Sequence, residues 1–136
     1  IFRECTGIEP VEDIEFGVMV ETPAAVQMID EICQEGISFI SLGTNDLTQF
    51  TLACDRNSER VAKMYDEMHP AVLREIHKVI QTCKKYKVLT SICGQAGSNL
   101  EMVKFLQKEG VDSISANLDA VNAVRKTVAK AEGLLK

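Results

Sequence analysis

Positive charge is in short supply: 15 Lys and Arg face 20 Asp and Glu across 136 residues, for a net charge of −5. That balance argues against non-specific binding to nucleic acid. It leaves room for a phosphorylated ligand, because a few local groups decide that. Long apolar runs are also missing. None approaches the roughly 20 residues that span a bilayer, and no segment has the build of a secretory leader. The five cysteines are odd in number and include no CxxC pair, which argues against a disulfide framework or a zinc site. Cys33 and Cys83 fall on apolar helix faces instead. Together these absences describe a reduced, cytoplasmic protein. Low-complexity stretches and domain linkers are lacking too, so residues 1–136 are expected to form a single unit. The chain opens on Ile1 rather than methionine, and is expected to be a piece of something longer.

What is there is an alternation of strand and helix periods. Apolar residues make up 46% of the chain and charged residues 26%, an ordinary balance for a globular protein. Glu15 to Glu21 reads as a buried strand. Thr22 and Pro23 match an N-cap and first helical position. In the helix that follows, Ala25, Met28, Ile29 and Ile32 share one face, and Gly36 ends it. A second strand runs from Ser38 to Leu42, followed by short helices over Asn45 to Leu52 and Ser58 to Asp66. Pro70 opens a longer helix with Val72, Leu73, Ile76, Val79, Ile80 and Cys83 as its core face. The third strand is Val88 to Cys93. Ser98 and Glu101 form a capping box for a helix that ends at Gly110. The fourth strand is Asp112 to Ala116, and the last helix runs from about Leu118 to Glu132.

Alternation of this kind implies an α/β fold with a parallel sheet and helical crossovers. Four units in 136 residues give about 34 residues each. Eight would need about 272, close to the roughly 250 of a closed (β/α)8 TIM barrel. The expected architecture is therefore the C-terminal half of such a barrel, with an open four-stranded sheet as the alternative. Polar residues at three successive strand ends favour the half-barrel, since an open doubly wound sheet gathers its site at one switch point.

Those strand ends hold the candidate chemistry. Glu21 closes the first strand and is either a magnesium ligand or a solvated acid. Gly43, Thr44, Asn45 and Asp46 follow the second. Such a turn sets a carboxylate, an amide and free N–H groups at one point, which suits a divalent cation and a phosphorylated acid. Asp46 is otherwise a helix N-terminal carboxylate favoured by the dipole. Arg56, in a polar loop, either closes on a phosphate with its fork or pairs with Asp55 at the surface. Cys93 ends the third strand beside Gly94. An ordinary thiol titrates at about 8.5, so Cys93 could serve as an acid or simply be a small buried hydrophobe. Gln95 beside it either bonds a ligand or caps the loop. His69 precedes Pro70 and His77 lies opposite its helix's core face; both read as structural.

Taken together, Gly17–Ala25 (GVMVETPAA), Ser41–Leu52 (SLGTNDLTQFTL), Asp55-Arg56 and Ile92–Gln95 (ICGQ) resemble the C-terminal, phosphoenolpyruvate-binding barrel of the PEP-utilising enzyme family. That family includes phosphoenolpyruvate synthase, pyruvate phosphate dikinase and enzyme I of the bacterial sugar phosphotransferase system. The resemblance covers Gly17 to Ala116, and the ICGQ form is most similar to the synthase branch. It implies that Glu21 and Asp46 hold magnesium. It further implies that Gly43, Thr44, Asn45 and Arg56 bind pyruvate or phosphoenolpyruvate, and that Cys93 moves a proton at the substrate methyl carbon. The reaction implied converts ATP, pyruvate and water into AMP, phosphoenolpyruvate and phosphate. Phosphohistidine and ATP-grasp domains of a full-length protein are the implied partners. The Thr-x-His context of the first and the nucleotide domain are both missing here, so the isolated chain is expected to be inactive. Two further readings stay open. One is a non-catalytic half-barrel that pairs into a homo-oligomer through its open strand edges; the other is a magnesium-dependent lyase of oxo acids on the same barrel.

Overall fold

Helix-forming and strand-forming segments alternate through the computed structural model, which describes residues 14–135. Residues 1–13 and Lys136, part of the expected unit 1–136, lie outside the described residues. The strands are β1 (Gly17–Val20), β2 (Phe39–Gly43), β3 (Leu89–Cys93) and β4 (Ser113–Ile114). The α-helices are α1 (Pro23–Gln27), α2 (Ile29–Gln34), α3 (Thr44–Leu52), α4 (Pro70–Tyr86), α5 (Leu100–Glu109) and α6 (Val121–Ala131). All strand pairs are parallel, in the order β1-β2-β3-β4. Among the described residues the order never reverses, so the four strands have no topological switch point of the doubly wound kind.

One face of this sheet carries the core. Val20, Leu42, Ile92 and Ile114 form one row across it; the first three are fully buried, as is Ile40. They pack with Val26 and Ile29 from the first crossover, Ile76, Val79 and Ile80 from α4, and Met102 and Leu106 from α5. The other face is open. Met19 is 54% exposed, Phe39 38% and Leu89 55%, and the row Met19, Ser41, Ser91, Ser113 crosses it. The side chains alternate between faces as the two-residue strand period requires.

Several expectations change in detail. Thr22 caps α1, its Oγ1 accepting from the Ala25 N–H at 3.2 Å, with Pro23 next as expected. The first crossover helix, however, breaks at Met28. The buried face is Val26, Ile29 and Cys33, while Met28 is 51% exposed at the break. Residues 58–66 form no α-helix, only a 3-10 turn at Ala62–Met64. Asp55 and Asp66 side chains take the Asn57 and Met68 N–H groups, local bonds that compete with helix formation. Asn99, not Ser98, caps α5, accepting from the Glu101 N–H at 3.0 Å. A 3-10 turn at Gln95–Ser98 delays the helix start, and Ser98 Oγ accepts from the Asn117 N–H instead. The fourth strand shortens to two residues and pairs on one side only among the described residues.

Both histidines have structural tasks. His69 Nδ1 accepts from the Ala71 N–H at 3.2 Å and so caps α4. His77 Nδ1 meets Glu109 Oε2 at 2.7 Å on the exposed outer surface. Cys33 and Cys83 lie buried with their sulfurs 3.9 Å apart. Burial pushes both thiols up, Cys83 to about 12, with the neighbouring Cys33 adding to its rise. No helix among the described residues is long and apolar enough to cross a membrane.

Candidate functional site

Parallel pairing puts the carboxyl ends of β1, β2 and β3 side by side, with Gly43 and Cys93 in direct register. A cavity of about 170 Å³ opens there. Glu21, Gly43, Thr44, Asn45, Asp46, Cys93 and Gly94 all line it, together with Met19. Six of the seven residues expected to form a site thus meet in one place. Arg56 lies in an adjoining cavity of about 500 Å³ with Asn57, Ala62, Tyr65 and Gln95, and Asn45 lines both. Met19 escaped notice in the sequence, though it stands two residues before Glu21 and therefore on the same strand face.

Two glycines let the rim close up. A Cβ on Gly43 would stand 2.8 Å from Glu21 Oε2, so the absent side chain is what admits that carboxylate. Gly94 has φ +100, and a Cβ there would stand 2.9 Å from Thr44 Oγ1 and 3.0 Å from Asn45 Oδ1.

Hydrogen bonds lock the second and third strand ends together. Thr44, fully buried, donates its hydroxyl to the Cys93 carbonyl at 2.9 Å. Asn45 Oδ1 accepts from the Gln95 N–H at 3.3 Å. Cys93 Sγ donates to the Leu42 carbonyl at 3.5 Å. Thr44 therefore offers a ligand its main chain rather than its hydroxyl. The first-turn N–H groups of α3, which begins at Thr44, have no intrahelical acceptor and carry the positive end of the helix dipole.

Tyr65 and Glu67 complete the rim, and the sequence reading missed both. Tyr65 donates its hydroxyl toward the Asn45 carbonyl at 3.3 Å and Glu67 Oε1 at 3.2 Å. Burial, then the Glu67 charge, pushes Tyr65 up to about 12, against a smaller opposing pull from Thr48 and Arg56. Burial also raises Glu67, opposed by its bond to Tyr65 and by the Arg56 charge. Thr48 Oγ1 is near Tyr65 but has no hydrogen-bond partner among the described residues.

Among the described residues no three His, Cys, Asp or Glu side chains group closely enough to hold a metal by themselves. The donor set facing the cavity is the carboxylate pair Glu21 and Asp46. Two hard oxygen donors with room for water and ligand oxygens fit magnesium, which usually takes one or two carboxylates. They do not fit a closed zinc site.

Residues 3–133 match the model of the PEP-utilising enzyme, PEP-binding domain. The chain is 58% identical over 132 residues to the probable phosphoenolpyruvate synthase of Methanocaldococcus jannaschii, covering 97% of this chain and 11% of that protein. It is 59% identical over 132 residues to the phosphoenolpyruvate synthase of Pyrococcus furiosus, covering 97% of this chain and 16% of that protein. The phosphoenolpyruvate-protein phosphotransferase of Staphylococcus epidermidis is 38% identical over 122 residues, 90% of this chain and 21% of that protein. The chain thus spans less than a quarter of the length of each of these relatives. With its three strand ends gathered at one rim, the chain belongs to the family of PEP-utilising enzymes and forms part of their PEP-binding domain.

Proposed function

We propose that this chain is the C-terminal half of a (β/α)8 barrel and supplies the pyruvate and phosphoenolpyruvate site of a phosphoenolpyruvate synthase. The observation that carries the reading is a cavity at the carboxyl ends of three consecutive parallel strands, lined by Glu21, Asn45, Asp46 and Cys93. In barrels of this kind the active site lies at that end. The open sheet face supports the half-barrel, because Met19, Phe39 and Leu89 would fill a barrel interior. Identities of 58% and 59% to synthases, against 38% to a phosphotransferase, favour the synthase branch.

Each residue has a role in this reading. Glu21 and Asp46 would hold magnesium, which when bound supplies positive charge to oxygens that become anionic as a methyl proton leaves. The α3 N-terminus and the Asn45 amide bind the substrate carboxylate and oxo oxygen. Arg56 binds phosphoryl oxygens with its fork. Cys93, as thiolate, takes a proton from the pyruvate methyl group in the synthesis direction and returns it in the reverse. The phosphoryl group comes from a phosphohistidine on a separate domain, charged by an ATP-grasp domain. Without those domains and the first half of the barrel, the chain alone turns nothing over.

The test is Cys93→Ala in the full-length enzyme. Exchange of pyruvate methyl protons with solvent should disappear while phosphorylation of the enzyme by ATP persists. Exchange at the wild-type rate would end the reading.

A further inference from the structure

The segment 53–69 between α3 and α4 carries Arg56, yet its only regular structure is the 3-10 turn at Ala62–Met64. A connection this long usually has a task and needs anchoring. Most of its bonds are internal: Asp55 and Asp66 hold neighbouring N–H groups of the same segment. Beyond the two main-chain bonds by which Ala53 and Cys54 close the end of α3, two bonds that involve side chains cross to it. One runs from the Arg56 N–H to Gln49 Oε1 at 3.3 Å. The other is the Tyr65 hydroxyl on the Asn45 carbonyl. That carbonyl belongs to the peptide joining Asn45 to Asp46. A donor on it holds the plane from which both side chains leave.

We propose that Tyr65 is a positioning residue for the rim: its hydroxyl, held between Glu67 and the Asn45 main chain, sets the aim of the Asn45 amide and the Asp46 carboxylate. The inference rests on the rim being the pyruvate and phosphoenolpyruvate site. Tyr65 has one proton and two acceptors, at 3.3 and 3.2 Å. Both contacts are satisfied at once when the Glu67 carboxyl carries a proton and donates it to Tyr65 Oη. The tyrosine proton then goes wholly to Asn45. Burial raises Glu67 toward the protonated form, while its bond to Tyr65 and the Arg56 charge pull the other way. Arg56 lines the same cavity as Tyr65 and Asn45, so one phenol ties the loop that carries the guanidinium to the turn that carries the acid. A ring that merely filled space would do none of this through its oxygen.

Tyr65→Phe keeps the ring and removes the hydroxyl. In the full-length enzyme, kcat for methyl-proton exchange of pyruvate should fall roughly three- to tenfold, the range for losing one net hydrogen bond. KM should move less than twofold, and melting temperature and phosphorylation by ATP should hold. Glu67→Gln, whose amide N–H still donates to Tyr65 Oη, should lose less than Tyr65→Phe does. Wild-type kcat in Tyr65→Phe would overturn the inference, as would a loss matched by a fall in melting temperature, or a Glu67→Gln enzyme at least as impaired. A wild-type enzyme that exchanges no methyl protons would instead overturn the functional reading, and this inference with it.

Discussion

Replacing Gly94 with alanine puts the packing of the rim to a quantitative test. The backbone there has φ +100 and ψ −174, a region that is essentially glycine's own and costs other residues about 1–3 kcal/mol. The new Cβ would also stand 2.9 Å from Thr44 Oγ1 and 3.0 Å from Asn45 Oδ1. Neither atom is free to move aside. Thr44 is fully buried and bonded to the Cys93 carbonyl, and Asn45 Oδ1 holds the Gln95 N–H. At least one bond must give, adding about 0.5–1.5 kcal/mol. The total is about 2–4 kcal/mol, which a urea slope of about 2 kcal/mol per molar turns into a midpoint shift on the order of 1–2 M. Gly36→Ala is the matched control: φ is +82 but nothing lies within 4 Å of the added Cβ. It should lose only the conformational part, about 1 kcal/mol. Urea melts of the two variants measure the difference. Equal losses would refute the claim that the third strand end is packed against the second.

Thr44→Val should destabilise by about 1–3 kcal/mol by leaving the Cys93 carbonyl without its donor. Thr44→Ser keeps the bond and should lose about 1 kcal/mol for the methyl group; equal urea midpoints would mean the hydroxyl holds nothing. Stability should fall above pH 8.5 or so. Cys83 keeps its proton up to about 12 when folded, whereas an unfolded thiol ionises near 8.5, so raising the pH through that window favours the unfolded chain. Cys83→Ala should flatten that decline, and an unchanged slope between pH 8 and 10 would count against the burial argument. Magnesium at about ten times its dissociation constant should stabilise the full-length enzyme by about 1.4 kcal/mol. Asp46→Asn should remove most of that gain, and an equal rise in melting temperature in both proteins would exclude Asp46 as a ligand.

The sequence made the strand ends legible because their information is local. Glu21, Asp46 and Cys93 each follow an apolar run that stops at a turn, and parallel pairing alone then brings them to one rim. Cap residues were legible for the same reason where no neighbour competed, as at Thr22 and Pro23. Legibility ended where distant side chains decide. Ser98 looked like the cap of α5, yet its hydroxyl takes the Asn117 N–H, 19 residues away. The helix expected at 58–66 lost to two aspartates that bond their own loop. Tyr65 gave no signal, because its role depends on a carbonyl 20 residues earlier. Thr44 drew attention as a polar residue in a binding turn. Its hydroxyl instead serves a strand end 49 residues on.

The charge of the rim explains why those local features belong together. The smaller cavity is lined by two carboxylates, Glu21 and Asp46, and by no lysine or arginine. The α3 N-terminus offers about half a positive charge against them, and the Arg56 guanidinium lines the neighbouring cavity instead. Among the described residues lining that cavity, about one and a half negative charges are left without a counter-ion. Such an arrangement repels an anionic acid unless a cation comes with it, and a divalent ion reverses the sign of the cavity. The division also sorts the two ends of a phosphorylated acid. On the function proposed above, the enol and carboxylate oxygens would suit the carboxylate-lined cavity once a cation is bound there, and the phosphoryl oxygens the arginine-lined one. Asn45, the residue that lines both, stands where the two ends of such a ligand would join.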